Sequence, residues 1–165
     1  MFTGEFNHTV DSKNRIFVPA KFREELGESF IVARDIREHI LKVYSPEGWE
    51  EYLAPIKKQE RKLAEQALRY LHRNASQVTP DAQGRILVSA ALLEYAEIDK
   101  EAVFVGCSDY CEIWSLENYR AEIDREAVFV GCSDYCEIWS AKNYEAEVLA
   151  EDAEFIRQEL EKLGL

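Results

Sequence analysis

Apolar and polar positions along the chain change period several times, and each change predicts an element. Loose alternation over residues 5–10 feeds a polar turn at Asp11–Asn14, after which Arg15–Val18 has the apolar content of a short strand. Pro19 suits the first turn of a helix running to Leu26, with Gly27 as its stop. Phe30–Ala33 and Ile40–Tyr44 are expected as strands around the charged loop Arg34–His39. Ser45-Pro46-Glu47 then reads as N-cap, first-turn proline and acidic first turn of a helix burying Trp49, Tyr52 and Leu53. Pro55 is expected to interrupt that helix. Lys57–Arg73, with Leu63, Ala67, Tyr70 and Leu71 at helical spacing, is expected to resume it as a helical connector.

The second half repeats the scheme. It predicts a strand at Ala75–Val78, a turn at Asp81–Gly84, a strand at Arg85–Val88, a helix at Ala90–Ala96 and strands at Val103–Gly106 and Glu112–Trp114. Ser115 then caps a helix that includes Tyr119. Thr9–Ala20 and Thr79–Ala90 are matched segments seventy residues apart, and Ser45 and Ser115 keep the same spacing. Each segment runs Asp-x-x-x-Arg, three apolar residues, a small residue and a helix-forming stretch. The expected organisation is a first half-domain at 1–53, a connector at 54–74, a second half-domain at 75–145 and a C-terminal helix at 146–165. In that last helix Val148, Leu149, Phe155, Ile156, Leu160 and Leu163 form an apolar stripe.

A second repeat overlies the first. Residues 96–120 recur as residues 121–145, differing only at Lys100/Arg125, Leu116/Ala141, Glu117/Lys142 and Arg120/Glu145. So close a match is a tandem copy inserted into the second half-domain, not a settled repeat architecture.

The chemistry within each unit is an aspartate entering a turn and an arginine returning opposite it. The carboxylate can accept from the backbone amides ahead of it while the guanidinium closes the turn. Asn14 and Gly84, which precede the arginines, both tolerate positive φ. Asp11, Arg15, Asp81 and Arg85 are therefore the structural turn residues.

Composition narrows the function classes. A chain of 165 residues with 47% hydrophobic and 32% charged residues is expected to be one soluble globular domain. No apolar run approaches the ~18 residues of a membrane helix, and the start has no signal-peptide pattern, so a cytoplasmic protein is expected. All four cysteines lie in the copied block, spaced Cys-x-x-x-Cys and far from His8, His39 and His72, which reads as reduced thiols and no metal site. No cofactor is expected either. Scattered histidines, and the lack of a Gly-rich phosphate loop or a Gly-x-Ser-x-Gly turn, argue against an enzyme. The net charge is −12, but it is uneven: residues 1–75 carry thirteen Lys/Arg against twelve Asp/Glu, and residues 76–165 seven against twenty. A polyanion would have to be met by the first half, where Lys13, Arg15, Lys21 and Arg23 fall within eleven residues.

Gly4-Glu5-Phe6-x-His8-Thr9-x-Asp11-x-Lys13-x-Arg15 and Pro19-Ala20-Lys21-Phe22-Arg23 resemble the N-terminal signature of the MraZ family of bacterial transcriptional regulators. Asp81-x-x-Gly84-Arg85-Ile86 and Glu112-Ile113-Trp114-Ser115 resemble its second half. The resemblance covers residues 1–120 and the tail from about 141. Asn14 stands where the family's first motif usually has glycine. The resemblance implies an α+β fold, an AbrB-like swapped-hairpin β-barrel of two pseudo-repeats with short flanking helices. It also implies a ring-like homo-oligomer that binds repeated promoter elements in double-stranded DNA upstream of division and cell-wall genes, as a nucleoid-associated repressor. Carried over residue by residue, it makes Lys13, Asn14, Arg15, Lys21 and Arg23 the DNA-binding residues. The competing reading is an AbrB-like protein-interaction module of antitoxin type, which would use the acidic half or the tail helix.

Overall fold

Both aspartate turns open onto three-residue strands, and the fold is organised by how these two strands meet. The computed structural model describes residues 1–122 in full and the backbone of 123, 127–132 and 135–140. In the first half β1 (Glu5–Thr9), β2 (Arg15–Phe17), α1 (Ala20–Leu26), β3 (Phe30–Arg34) and β4 (Leu41–Tyr44) lead into α2 (Pro46–Lys57) and α3 (Arg61–Arg73). The second half runs β5 (Ala75–Val78), β6 (Arg85–Leu87), α4 (Ala90–Tyr95), β7 (Glu101–Cys107), β8 (Tyr110–Ser115) and α5 (Leu116–Ile123). The class is α+β. Met1–Tyr119 forms one compact unit and Arg120–Leu165 another; in the latter, β9 (Ala127–Cys132) and β10 (Tyr135–Ser140) make a two-stranded antiparallel ladder. The helix expected over 146–165 lies outside the described residues. Among those that are described, no helix is long and apolar enough to cross a membrane.

The copies pair with each other. β2 lies antiparallel to β6 with Ile16 opposite Ile86, its counterpart seventy positions on, so a local two-fold axis passes through that pair. The main sheet has the order β1-β7-β8-β4-β3-β5 and repeats the relation at its centre, where Lys42 on β4 faces its counterpart Glu112 on β8. Each half also lends its first strand to the other: β1 pairs with β7, and β5 with β3. Within the described ladders this sheet is open, with β1 and β5 at its edges.

The spacing of seventy is not kept throughout. His8 faces Ala102 while Val78 faces Phe30, and Val32 faces Val43 while Phe104 faces Ile113, so β7 matches β3 at an offset of seventy-two. The connection into β7 is two residues longer than that into β3, and a shorter turn before β8 restores the spacing. A two-residue shift keeps every side chain on its own face of the sheet, which is why the core tolerates it.

Interchange of strands produces one shared core. Ile16, Val18, Phe22, Phe30 and Val32 from the first half pack with Ile86, Val88, Phe104 and Ile113 from the second. Phe2 and Phe6 meet the Phe22 ring edge-on. A smaller cluster joins Tyr44, Trp49, Leu53 and Leu71, where α2 and α3 cover the sheet.

The expected break at Pro55 does not occur: α2 runs through it to Lys57, and α3 starts at Arg61. Ser45 Oγ accepts from the Gly48 amide at 3.1 Å, and Trp49 and Leu53 are buried, so the helix is anchored before the proline is reached. Pro55 removes a single bond in the exposed last turn, and the chain leaves the helix only after Lys57.

Intertwining on this scale predicts one cooperative transition. Denaturant unfolding followed through Trp49 and through Trp114 should give coincident curves. Ile16→Ala or Ile86→Ala, each removing a side chain no more than 1% exposed, should cost about 2–5 kcal/mol by the same measurement.

Candidate nucleic-acid interface

Each turn is closed by the same set of bonds. Asp11 Oδ1 accepts from the amides of Lys13 and Arg15, both at 2.9 Å, and Asp11 Oδ2 accepts from Arg15 Nε at 2.8 Å and Nη2 at 2.7 Å. In the second turn Asp81 Oδ1 accepts from Gln83 at 2.9 Å and Arg85 at 3.0 Å, and Oδ2 from Arg85 Nε at 2.9 Å and Nη2 at 2.8 Å. Asn14 (φ 58°) and Gly84 (φ 79°) supply the left-handed residue that brings the arginine back. The arginine hydrogen bonds, side chain first and backbone second, hold both Asp11 and Asp81 down to a pKa of about 2.

The two turns are tied into one ribbon. Val18 donates to the Gly84 carbonyl at 3.0 Å and Val88 to the Asn14 carbonyl at 2.9 Å, which extends the β2–β6 ladder at both ends. The ribbon's inner face is Ile16 and Ile86, 1% and 0% exposed. Its outer face alternates charge and apolar surface: Arg15 lies across from Leu87, and Phe17 across from Arg85. The turns sit at opposite ends of this ribbon, four ladder positions or ~13 Å apart.

The cations grouped in sequence separate in space. Lys13 stays at the first turn, exposed, and its ammonium has no partner among the described residues. Lys21 on α1 donates to Thr3 Oγ1 at 2.7 Å and to the Thr3 carbonyl at 3.1 Å, both neutral acceptors. Arg23 belongs to the other end. Its Nε donates to the Val18 carbonyl at 3.1 Å, its guanidinium lies 5.3 Å from the Phe17 ring centre, and it rests on Gly84, where a Cβ would come within 2.7 Å of Cζ. Glycine at 84 thus serves a close approach as well as a positive φ, whereas Asn14 answers only to the φ. Gln83 occupies the position of Lys13 in the second turn, and Arg23 supplies that end with the cation Gln83 lacks.

Sequence reasoning passed over Phe17 and Leu87, 36% and 63% exposed, although strict alternation about the buried isoleucines was the available signal. The thiols carry no comparable chemistry. Burial pushes Cys107 up to about 11 and raises Cys111 as well, which leaves both protonated at neutral pH. Among the described residues no cluster of three or more His, Cys, Asp or Glu could hold a metal ion.

Two aspartate-arginine turns joined through one strand pair are matched by the family described as "MraZ protein, putative antitoxin-like", once over residues 1–74 and again over 71–122. This chain belongs to the MraZ family. Each match contains one turn, and the second ends two residues into the second copy of the 25-residue block. The chain is 43% identical over 121 residues to the transcriptional regulator MraZ of Clostridium tetani, covering 72% of this chain and 84% of that protein. It is 45% identical over 118 residues to the MraZ regulator of Desulfitobacterium hafniense, covering 70% and 81%. The MraZ family is one of non-enzymatic transcriptional regulators.

Acid should open these turns. A carboxylate whose folded pKa lies below its unfolded value, ~3.9 for aspartate, adds stability above that value and loses it as pH falls toward the folded one. Between pH ~4 and about 2 the turns should therefore unlatch, and Asp11→Asn should flatten that part of the stability-against-pH curve. Independently, Gly84→Ala should cost ~1–2 kcal/mol, less in an Arg23→Ala background that clears the space for a methyl.

Proposed function

We propose that this MraZ-family chain is a sequence-specific DNA-binding transcriptional regulator that grips duplex DNA with the outer face of the β2–β6 ribbon. The observation that carries this reading is the position of the cations: Arg15 and Arg85 lie on the exposed face, with Lys13 at one end and Arg23 at the other. Lys13, Lys21 and Arg23 make no ion pair among the described residues, so their charge is available to phosphates. Arg15 and Arg85 each spend two donors on aspartate, and three of the five remain for a base edge or a phosphate.

A two-stranded ribbon fits the major groove, which is about 12 Å wide, and arginine is the residue best suited to the guanine edge there. Arg15 takes the base-reading role, Lys13 and Asn14 the tip of the approach, and Lys21 and Arg23 the flanking phosphates. Asp11 and Asp81 hold the arginines in place. In this reading residues 1–53 and 75–145 are the two halves of an AbrB-like swapped-hairpin barrel joined by the 54–74 connector. Several protomers in a ring then present their tips to repeated promoter elements upstream of division and cell-wall genes, acting as a cytoplasmic, nucleoid-associated repressor. A single protomer has few cations, and repetition converts weak contacts into useful affinity through effective concentration.

Gel shifts on duplexes carrying repeated short elements test this. Lys13→Ala leaves the turn bonds intact, should change stability by less than about 0.5 kcal/mol, and should weaken binding at every sequence, reducing the salt slope by roughly one phosphate contact. Arg15→Ala should cost tenfold or more in affinity. If neither substitution alters binding, the site lies elsewhere. No binding at low salt would favour the protein-interaction reading, which the antitoxin-like family description and the acidic second half support.

A further inference from the structure

The 25-residue block occurs twice, but the sheet holds one slot for it. Residues 96–120 fill that slot: β7 and β8 lie between β1 and β4, with Ala102, Phe104, Cys111 and Ile113 buried in the shared core. β9 and β10 pair with each other in the same register as β7 and β8, every partner displaced by twenty-five: Ala102 faces Ser115, and Ala127 faces Ser140. Their ladder has no third strand among the described residues.

We propose that the two blocks are interchangeable occupants of this slot, so that residues 121–145 take the place of residues 96–120 within the same chain when the first block leaves. The fourteen residues Ala127–Ser140 are identical to Ala102–Ser115, and every buried side chain the slot requires there is present twice. The four differences avoid the core. Lys100, Glu117 and Arg120 are exposed in the seated block, and Leu116 is only half-buried.

The demanding backbone position is duplicated as well. Gly106 lies where the amino-terminal segment crosses β7, and a Cβ there would come within 2.5 Å of the Thr3 nitrogen. Gly131 is the corresponding residue of the second block and would leave the same clearance once seated. Outside the strands, Asn118 donates from its amide to the capping Ser115 Oγ at 3.2 Å, and Tyr119 donates to Glu5 at 2.8 Å. Asn143 and Tyr144 repeat both residues at the equivalent positions.

Exchange leaves the rest of the fold in place. With the second block seated, residues 96–120 become a tether between α4 and the slot, and 25 residues span any distance within one domain. The tether keeps the competing block at millimolar effective concentration, which favours exchange within a chain over exchange between chains. Losing Leu116 for Ala141 tilts the balance toward the first block, by no more than roughly tenfold given its partial burial. The exchange also changes the segment that leaves the sheet: α5 and the second block in one state, the tail from Ala141 directly in the other.

A single substitution reads the occupant. Val43 faces Cys111 across the β4–β8 ladder, so Val43→Cys in the full chain can form a disulfide with Cys111 when the first block is seated and with Cys136 when the second is. After mild oxidation, trypsin releases Cys111 in peptide 101–120 and Cys136 in peptide 126–142, which differ in mass. Both peptides should be found linked to residue 43 within one chain, in a ratio within about tenfold. Linkage to peptide 101–120 alone would overturn the proposal. So would linkage to 126–142 found only between isotopically distinct chains, because that is exchange between molecules. Should the variant misfold or fail to cross-link, hydrogen exchange on the unmodified chain decides. An isolated two-stranded hairpin protects little, so interchange requires a slowly exchanging population in both peptides, and protection confined to 101–120 rules it out.

Discussion

A strand pairing with its own copy across a local two-fold axis is the constraint on which this fold depends. Ile16 can face Ile86 only if the halves approach antiparallel, and that approach sends each turn to opposite ends of one ribbon. The crossed pairings of β1 with β7 and β5 with β3 arise from the same axis. Neither half then owns a complete sheet. The ladder partners of β2, and much of the apolar surface that covers Ile16, come from the other half, and buried amides without partners are too costly to leave.

Covalent fusion lets the two sides of the axis diverge where a dimer of identical chains could not. On the axis at β4 and β8 an exact repeat would set lysine against lysine; here Lys42 faces Glu112, and its ammonium also reaches Asp35 at 2.9 Å. At the turns the divergence is one of charge and shape: Lys13 and Asn14 at one end, Gln83, Gly84 and the lodged Arg23 at the other. The scaffold is symmetric and its chemistry is not. The two ends of the ribbon are therefore unlike, so under the proposed function a duplex lying along it would be bound in one direction.

What the sequence made legible was local. The aspartate turns, the caps at Ser45 and Ser115 and the short strands each rest on residues within four or five positions of one another, and repetition at a fixed spacing reinforced them. What it hid depended on distant partners. Pro55 looked like a break because the packing of Trp49 and Leu53 against the sheet cannot be read from the helix alone. Arg23 grouped with Arg15 in sequence, yet it packs on Gly84, sixty-one positions away. The two-residue displacement of β7 was equally hidden, since only the ladder partners reveal it.

The acidic excess is compatible with an anionic partner because electrostatics near a protein surface are local. At physiological ionic strength the Debye length is ~8 Å, so an exposed carboxylate more than one such length from the ribbon contributes little at a phosphate bound there. What a phosphate would meet is the near field: an ammonium at Lys13 and a guanidinium at Arg23 that make no ion pair among the described residues, and two arginines whose aspartates neutralise them in part. That near field is positive but weak. Under the proposed function, weak cationic tips would not trap arbitrary DNA at physiological salt, and discrimination would be left to sites where several tips engage at once, making the modest charge of one ribbon a source of specificity as well as a limit on affinity.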